Sequence, residues 1–589
     1  MQTLGELLRH GWQLHQQRRY AEAENAYRRV LVEQPELPAA LYCFGRLAFD
    51  TANYDLAADY LSRAAEADPS KSQYHADLGL LFQSLGRLDE AVASYRRALS
   101  LEPDRGDVHV NLGNTLLKAG EPTQAMTCYR RALECEPKLA DAHSCLGAVL
   151  EQEGRVEDAI ACYRRAIELR PDYAAAHFNL GTVLSIRGEY SAAREHLEKA
   201  VEHSPRFAQA QNNLGVVLSA LFDLPRAQQC YERALELAPG EAKTHFSLGD
   251  VLEAQGLVEA ALLRYDEAIR LNPEFEQAHL ARGKALLKLG RFEQGWEGYE
   301  HRVGLPQYDT WSFPHPPWDG SSLGDRTLLI HCEQGLGDTL QFIRYVRAAR
   351  ERTANVILAS RSELLPLLRQ SGYEPVVSRD ELLPPFDVQV ALMSLPRILR
   401  TMIGDMPRDV PYLAADPRLV ETWRERLASG GDFKIGIQWQ GNPIYVGDTF
   451  RSIPLAEFLP LTEVRGATFF SLQKGFGSEQ LAGLARPMPI HDLSGELDLN
   501  SGAFMDTAAV MQNLDLVITS DTAAAHLAGA LGVTVWVALP RFAEWRWFLD
   551  REDSPWYPTM RLFRQAAQGD WSDVFRRLAV ELKKLVSNR

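Results

Sequence analysis

The 589-residue sequence predicts an all-α solenoid followed by an α/β region of two parallel-sheet domains. Two observations lead to this expectation. Small residues recur at a fixed step through the first half of the chain, and that register ends after about Tyr299. Beyond it, short runs rich in β-branched residues alternate with helical stretches, which is typical of parallel sheets. The two halves therefore differ in architecture.

Glycine recurs every 34 residues in the first half, and proline keeps the same step. In most repeats an alanine, an aromatic residue and a proline follow the glycine at fixed offsets, as in Gly79, Ala91, Tyr95 and Pro103. The pattern resembles the tetratricopeptide repeat, a helical hairpin in which small residues let the helices approach and proline ends the second helix. We expect about nine repeats over residues 1–303, marked by Gly11, Gly45, Gly79, Gly113, Gly147, Gly181, Gly215, Gly249 and Gly283.

The ninth repeat departs from this pattern. Gly295 takes the place of the alanine, and the terminal proline falls at Pro306. Such a departure is expected where a solenoid meets another domain. Residues 304–325, rich in proline and aromatic residues, are the predicted junction.

Six histidines share one repeat position, four residues before the glycine. Neighbouring helices of a solenoid lie about 8–10 Å apart, too far for successive imidazoles to share one ion. We therefore expect structural roles and no metal site for His75, His109, His143, His177, His245 and His279.

A polar column lies two residues before the glycine, at Asp77, Asn111, Asn179 and Asn213. It resembles the asparagine ladder in the repeats of O-linked N-acetylglucosamine transferase, whose side-chain amides hold an extended polypeptide by its backbone. An amide both donates and accepts, so such a ladder can bind backbone of any sequence. The resemblance implies a protein acceptor in the groove of the repeats. The alternative is ordinary polarity of a solvated helix face.

The second half contains two sets of strand-like runs. The first set comprises 327–331, 356–360 and 375–378, with a helix over 339–352, and the second comprises 433–439, 468–472, 516–519 and 534–538. We expect a first domain at 326–415, a linker with a helix at 416–432, and a second domain at 433–589 that ends in a helix. Ligands of such folds collect at the carboxyl ends of the strands, so the facing edges should enclose a cleft.

Two helix starts at these edges are candidates for chemistry. Gly335 and Gly337 allow a tight turn that places Asp338 at the first helix start, where it is either a functional carboxylate or an N-cap that contributes about 1 kcal/mol. In the second domain, Asp521 ends a strand and Thr522 opens a helix of small residues. Exposed N–H groups at a helix start favour an anion such as a nucleotide diphosphate.

These segments resemble the heptosyltransferase-like glycosyltransferases with the two-domain GT-B fold, particularly bacterial relatives that carry N-terminal repeats. The resemblance rests on E-Q-G-L-G-D at 333–338 and on to Tyr345, on W-Q-G-N-P at 439–443 with R-S-I-P-L at 451–455, and on Asp521-Thr522 with H-L-A-G at 526–529. It implies that Asp338 is the general base. It also implies donor-binding roles for Arg451, Asp521, Thr522 and His526. Apart from the resemblance, we expect Lys474 to bind the donor because Gly475 keeps its surroundings open, and Trp545 to line the cleft with its ring. The further expected donor-binding residues are Gln438, Asn442 and Ala523.

The sequence departs from those relatives in two places. Residues 444–450 lack the expected His and Asn-Asp pair before Arg451, which puts the sugar or base contacts of the donor in question. Ala523 replaces the glycine of the usual D-[ST]-G. No D-x-D occurs, so we expect neither a metal-bridged diphosphate nor any cofactor beyond a nucleotide sugar as co-substrate.

The composition limits which binding partners and which cellular compartment we expect for the protein. The formal charge of -15 argues against binding along nucleic acid, where phosphate neutralisation dominates affinity. The seven cysteines form no C-x-x-C pair, as expected in a reducing compartment. No signal peptide or membrane span is evident, so we expect a cytoplasmic protein. The sequence leaves the oligomeric state open.

The sequence thus favours an inverting glycosyltransferase that modifies Ser or Thr of a protein held by the repeats; by resemblance, flagellin is one conceivable acceptor. Two alternatives stay open. One is a non-catalytic scaffold whose α/β half senses a nucleotide sugar. The other is a glycosyltransferase that acts on a glycan or lipopolysaccharide.

Overall fold

A computed structural model describes residues 3–306, 308, 311, 313–429, 433–444 and 447–588. The chain divides into two compact units, Met1–Pro239 and Gly240–Arg589. Several predicted segments fall partly outside the described residues, namely the two ends of the chain, the junction at 307, 309, 310 and 312, the linker at 430–432, and the departure segment at 445 and 446.

The first unit consists of helices paired in antiparallel hairpins, which confirms the predicted repeats. In each hairpin the first helix carries the periodic glycine and the second carries the alanine that follows it. The helices are α1 (Leu4–Gln16), α2 (Tyr20–Glu33), α3 (Pro38–Asp50), α4 (Tyr54–Ala67), α5 (Ser72–Ser84), α6 (Leu88–Leu101), α7 (Gly106–Lys118), α8 (Pro122–Cys135), α9 (Ala140–Gln152), α10 (Val156–Leu169), α11 (Ala174–Ile186), α12 (Tyr190–His203), α13 (Ala208–Ala220) and α14 (Leu224–Leu237).

The periodic glycine lets the two helices of a hairpin touch. A Cβ atom at Gly113 would lie 2.5 Å from Cε1 of Tyr129, closer than any side chain tolerates. Tyr129 is fully buried, and its hydroxyl donates to Oδ1 of Asn114 at 2.7 Å. The 34-residue step of glycine therefore reflects one repeated helix contact.

The second unit opens with two further hairpins, which are formed by α15 (Ala242–Ala254), α16 (Val258–Leu271), α17 (Glu276–Lys288) and α18 (Phe292–Glu300). A short 3₁₀ helix, His301–Gly304, follows. Its Arg302 is fully buried and donates to Oε1 of Glu333 at 2.9 Å. This buried ion pair joins the end of the last repeat to the loop after the first strand.

The first sheet is parallel, with strand order β3-β2-β1-β4. Its strands are β1 (Leu328–His331), β2 (Val356–Ser360), β3 (Val376–Ser378) and β4 (Val388–Ala391), and its helices are α19 (Leu336–Phe342), α20 (Tyr345–Arg350), α21 (Leu365–Gln370) and α22 (Leu395–Ile398). The single helix expected at 339–352 is wrong, because it is broken between α19 and α20. At the break, the buried Arg344 donates to the carbonyl of Gln341 at 2.8 Å.

The second sheet is also parallel, with strand order β10-β9-β8-β5-β6-β7. After the linker helix α23 (Pro417–Arg426), its strands are β5 (Phe433–Gln438), β6 (Ala467–Ser471), β7 (Ile490–Asp492), β8 (Leu516–Thr519), β9 (Val535–Leu539) and β10 (Met560–Arg564). The helices are α24 (Asp448–Arg451), α25 (Leu459–Thr462), α26 (Met505–Met511), α27 (Ala523–Ala530) and α28 (Trp571–Ser587). The predicted α/β architecture of parallel sheets with helices is confirmed.

Aromatic side chains join these parts of the second unit in one core. The ring of Trp296 on α18 meets that of Trp545 edge to face at 5.5 Å, and Phe342 of α19 lies 6.3 Å from both. Such ring pairs contribute about 0.5–1.5 kcal/mol each beyond the area they bury. The core therefore fixes residues 545–547 beside α19.

Candidate functional site

The two helix starts singled out in the sequence lie against each other. A Cβ atom at Gly337 would lie 3.3 Å from Cδ2 of His526 and 3.4 Å from Cα of Ala523. The absence of a side chain at Gly337 thus lets the start of α19 approach the start of α27. The structure brings Asp338, Ala523 and His526 into one neighbourhood.

Asp338 lies at the start of α19 with both carboxylate oxygens engaged. Oδ2 accepts from the backbone N–H of Gly335 at 3.0 Å, and Oδ1 pairs with Nη2 of Arg546. The side chain is one-fifth exposed. Because a carboxylate has about four lone-pair positions, Asp338 keeps the capacity to accept a further hydrogen bond. It both stabilises its helix start and remains accessible.

Arg546 is the hub of this neighbourhood. It is buried, and besides Asp338 it donates through Nε to Oε1 of Gln341 at 2.9 Å and through Nη1 to Oε2 of Glu544 at 3.2 Å. Although burial opposes its charge, the carboxylate of Asp338 raises its pKa above the usual value. Arg546 is therefore a permanent cation next to the candidate base.

The start of α27 carries His526 in a neutral state. Nδ1 of His526 lies 3.0 Å from the hydroxyl of Tyr557, and its ring stacks on Trp547 with centroids 5.4 Å apart. Burial, followed by the cation of Arg546, lowers the pKa of His526 well below its usual value. At neutral pH its imidazole is a hydrogen-bonding group without charge.

Thr522 directly precedes α27. Its side chain caps no backbone group of that helix, and its hydroxyl lies 3.2 Å from that of Thr519.

A cavity of about 450 Å³ is lined by Asp521, which precedes α27, and by Glu544 and Trp545, which precede Arg546; Asp338, His526 and Arg546 are not among its lining residues. Three residues with predicted donor roles line it: Arg451, Asp521 and Trp545. The other wall comes from α15 and α17. The full lining comprises Phe246, Asp250, Glu253, Gln277, Leu280, Ala281, Lys284, Lys288, Leu305, Tyr308, Gly447, Phe450, Arg451, Asp521, Pro540, Phe542, Ala543, Glu544 and Trp545.

The wall from the second sheet presents a carboxylate, a guanidinium and an indole. Burial raises the pKa of Asp521, an effect that the nearby Arg451 opposes. Nε of Arg451 donates to Oδ1 of Asp448 at 3.1 Å. Trp545 is 2 % exposed, and within the described part of the chain its indole N–H finds no hydrogen-bond acceptor. This wall can hold a polar ligand that carries negative charge and hydroxyl groups.

The wall from the repeats is rich in charge. Oδ1 of Asp250 and Oε2 of Glu253 lie 2.8 Å and 3.2 Å from the hydroxyl of Tyr265. Lys288 donates to Oε1 of Glu253 at 2.7 Å. Asp250 is open to the cavity, but the surrounding protein raises its pKa to about 7, first by desolvation and then through the charge of Glu253. Lys284 donates to the hydroxyl of Tyr308 at 2.7 Å.

Six predicted donor residues do not line this cavity: Thr522, Ala523 and His526 lie at the start of α27, and Gln438, Asn442 and Lys474 lie elsewhere. Gln438 ends β5 and lies opposite Thr519 of β8. Asn442 is exposed, and its Oδ1 accepts from the N–H of Ile444 at 3.0 Å. Lys474 is exposed and donates to the carbonyls of Leu497 and Asp498 at 2.8 Å and 3.0 Å.

The four groove residues of the first unit differ in their bonding. Asp77 is buried and accepts from Tyr42 at 2.6 Å and from Arg46 at 3.1 Å. Nδ2 of Asn213 donates to Oγ1 of Thr182 at 2.9 Å. The half-buried side chains of Asn111 and Asn179 make no hydrogen bond to other described residues.

The periodic histidines bind the loop that precedes their own helix. Nε2 of His109 lies 2.9 Å from the carbonyl of Pro103, and the same contact recurs at His75, His143, His177 and His279. Among the described residues, no group of three or more His, Cys, Asp or Glu side chains is arranged to hold a metal ion. The helices of the described residues include none long and apolar enough to cross a membrane.

Sequence reasoning missed the charged residues that organise this site, Lys284, Glu544 and Arg546. Arg546 lies between two tryptophans, Trp545 and Trp547, in a segment rich in aromatic residues. A permanent charge inside an aromatic run needs buried partners, and this was the available signal. Nothing in the repeat pattern distinguishes Lys284 from other charges on helices.

Comparison with protein families matches the tetratricopeptide repeat at residues 8–72, 83–148, 138–206 and 206–274. The chain therefore carries tetratricopeptide repeats, which commonly mediate contacts between proteins. A curated relative, Protein FlbA of Caulobacter vibrioides, is 28% identical over 331 residues, covering 51% of this chain and 54% of that protein. The chain spans about half the length of this relative.

Solved structures resemble the chain over part of its length. The APC/C hetero-tetramer Cut9-Hcn1 has 16% identity and a TM-score of 0.37, covering 45% of this chain and 52% of that chain. YrrB, described as a TPR protein with an unusual peptide-binding site, has 24% identity and a TM-score of 0.29, covering 31% of this chain and 95% of that chain.

Proposed function

We propose that the chain is an inverting glycosyltransferase that moves a sugar from a nucleotide-activated donor to a hydroxyl of a protein acceptor. The cavity lined by α15, α17 and the segments at Arg451, Asp521 and Trp545 is the observation that carries this proposal. Arg451 and Asp521 come from separate segments that resemble the donor side of GT-B glycosyltransferases, and they line one space with Trp545, whose ring was expected to line the cleft. A cavity of about 450 Å³ lies within the range of small-molecule sites.

The charges around the cavity suit a nucleotide sugar. Arg451 supplies positive charge for a diphosphate, and charge-assisted hydrogen bonds to phosphate are about twice as strong as neutral ones. Asp521 and the indole N–H of Trp545 offer an acceptor and a donor for sugar hydroxyls. The rings of Phe450 and Phe542 can cover the apolar face of a base or sugar.

In the proposed reaction, Asp338 takes the proton of the acceptor hydroxyl as the oxygen attacks the anomeric carbon. The bond to the nucleotide breaks on the opposite face, so the configuration inverts and the nucleotide diphosphate leaves with the electron pair. A well-placed general base contributes about 10²–10⁴-fold to such a step. Asp338 retains lone pairs for this role beside its bonds to Gly335 and Arg546.

A protein acceptor is favoured by the repeats. Asn111 and Asn179 present half-buried amides without partners among the described residues. Such amides can bind the backbone of an extended segment whatever its sequence, which suits a Ser- or Thr-containing acceptor. Flagellin remains one acceptor to test.

A second candidate function is a scaffold whose α/β region binds a nucleotide sugar without turning it over. The ion pair of Asp338 with Arg546 favours it, because a carboxylate engaged in this way can serve structure alone. The tetratricopeptide repeats are equally consistent with partner binding. The two candidates differ in turnover.

Nucleotide release separates these functions. The full chain is incubated with a panel of UDP-, GDP-, dTDP- and CMP-linked sugars and a Ser/Thr-containing peptide library, and free nucleotide and glycosylated peptide are measured. A donor at 100 times its dissociation constant also adds about 2.7 kcal/mol to the stability of the native state, visible as a rise in Tm. Transfer supports the enzyme, and a rise in Tm without release supports the scaffold. No response to any donor contradicts both.

A further inference from the structure

Four charged side chains of alternating sign connect the last repeat to the start of α19. Arg546 pairs with Asp338 at one side and with Glu544 at the other, where Nη1 and Oε2 are 3.2 Å apart. Although burial opposes the charge of Lys284, the carboxylate of Glu544 raises its pKa above the usual value. The series Lys284, Glu544, Arg546, Asp338 therefore runs from α17 to the candidate base.

Arg546 is held in place by several contacts besides its ion pair with Asp338. Each of its three guanidinium nitrogens donates to a different acceptor: Asp338, Gln341 and Glu544. The guanidinium lies over the ring of Trp545 with its carbon 4.6 Å from the ring centroid. The backbone carbonyl of Arg546 accepts from the indole of Trp556 at 2.9 Å. Such a fork is specific to arginine, because a lysine ammonium cannot reach three divergent acceptors in one fixed geometry.

The other end of the series is fixed by a repeat helix. Lys284 projects from α17, donates to the hydroxyl of Tyr308 at 2.7 Å and lines the cavity with Glu544. Without the ammonium of Lys284, the carboxylate of Glu544 loses a cation that stabilises its charge. Glu544 then holds Arg546 less firmly, and Arg546 in turn sets the position of Oδ1 of Asp338.

We propose that Arg546 is a positioning residue that orients Asp338 for glycosyl transfer, and that Lys284 of the last repeat supports it through Glu544. The inference rests on the proposed function and adds to it. It makes the final repeat part of the support of the reaction centre, in addition to any role in acceptor binding.

The test uses the full chain with the donor and peptides that give transfer. Arg546→Lys keeps the charge and removes the fork. We expect kcat to fall about 10²-fold, as for a misplacement of about 1 Å, with KM for the donor within about threefold. The control is Arg564→Lys, because Arg564 donates to the carbonyls of Trp547 and Phe548 in the same segment but does not contact Asp338. Arg564→Lys should keep kcat within about threefold at a similar loss of Tm.

A second pair of variants tests the repeat end. Lys284→Met should lower kcat about 3- to 10-fold, the size of effect expected along a coupled network, and Lys284→Arg should restore it to within about twofold. The control on the same helix is Arg282→Met, which breaks an ion pair with Asp266 away from the cavity.

Three outcomes decide the inference. An active wild type with kcat reduced in Arg546→Lys and Lys284→Met, but not in the controls, supports it. If the wild type is active and kcat falls no more in Arg546→Lys than in Arg564→Lys, this inference is overturned and the proposed function stands. A wild type that releases no nucleotide from any donor overturns both.

Discussion

The same repeat position behaves differently in two parts of the molecule. The residue directly after the periodic glycine is Asn114 in one repeat of the first unit and Asp250 in a repeat of the second. Each side chain accepts a hydrogen bond from the hydroxyl of the tyrosine that packs on that glycine, at 2.7 Å and 2.8 Å respectively. Asn114 is neutral and its carbonyl is satisfied. Asp250 faces a cavity, and desolvation raises its pKa to about 7.

The next repeat extends the contrast, since Lys284 occupies the same position and joins the charged series that ends on Asp338. The repeat pattern thus fixes the position of a residue on its helix. What the side chain does depends on what the neighbouring domain places opposite it. The predictions that follow test this division, from the largest expected effect to the smallest.

The largest effect is expected where the charged series ends. Asp338→Asn keeps the size of the side chain and removes the proton acceptor, so we expect kcat of transfer to fall about 10²–10⁴-fold. Initial rates with a donor that the wild type uses measure this fall in kcat. Asp387→Asn, a matched change at an exposed carboxylate that accepts from the N–H of Thr327, should stay near wild type. Equal rates for both variants would exclude Asp338 as the base.

The next effect concerns the contact between the periodic glycine and a tyrosine ring, which occurs in repeats of both units. A Cβ atom would lie 2.5 Å from the tyrosine ring at Gly113 and also at Gly249, so alanine at either position should cost about 1–3 kcal/mol of unfolding free energy. Denaturant titration measures both. Gly240→Ala is the control, because a Cβ atom there meets no atom within 4 Å. A loss at one glycine and not the other would show that the two regions do not share this contact.

A smaller effect is expected at the open amides of the first unit. Alanine at both Asn111 and Asn179 removes hydrogen bonds of about 0.5–1.5 kcal/mol each to an acceptor backbone. KM for a protein acceptor should therefore rise about tenfold with kcat unchanged. Thr127→Ala, which alters a hydroxyl bonded within its own helix, serves as the control. An unchanged KM would point to acceptors bound elsewhere, including glycans.

Exchanging the two residues after the glycine tests the comparison most directly. The carboxyl of Asp250 ionises near pH 7 when folded and near 3.8 when unfolded, so the folded state binds more protons between these values and stability falls as pH rises toward 8. Asp250→Asn should therefore raise Tm more at pH 8 than at pH 5.5. Asn114→Asp should lower Tm more at pH 8. Parallel Tm curves for wild type and Asp250→Asn would contradict the assignment.

The smallest effect belongs to a histidine pair of the first unit. Nδ1 of His177 lies 3.1 Å from Nδ1 of His196, and burial lowers the pKa of both from 6.5. The unfolded chain therefore binds more protons just below pH 6.5, and stability falls as pH drops through that range. His196→Gln should reduce the loss of Tm between pH 7.5 and 5.5, by less than about 4 °C. His143→Gln, which affects only a bond to Pro137, should leave that loss as in wild type.

The repeats were predictable because one contact generates their pattern. In most hairpins the glycine packs against a large side chain of the second helix, a tyrosine except for Leu61 at Gly45 and Leu197 at Gly181, so the sequence repeats the pair at a constant step. The parallel strands β1, β2, β5 and β8 were also evident, since buried parallel strands are continuous apolar runs. The strands β4, β7 and β10 were missed; β7, with only Ile490–Asp492, is too short for a pattern.

The site was predictable only where a motif marked it. Gly337 and the small residues after Thr522 indicated two helix starts, and the structure brings them together. Arg546, Glu544 and Lys284 follow no periodicity, because their partners come from distant segments and only the fold brings opposite charges together. Lys474 shows the reverse case, a cation in a suggestive motif whose ammonium binds two backbone carbonyls.

The side chain of Arg344 at the break between α19 and α20 has a consequence for how this protein can vary. Its guanidinium lies between the rings of Tyr412 and Tyr557, 4.3 Å and 4.5 Å from their centroids, and donates to the carbonyls of Pro407 and Trp556. Removing one member leaves a buried charge or a gap for the other two. Substitutions at these positions should therefore be strongly non-additive, and in divergent sequences the three residues should be kept or replaced together.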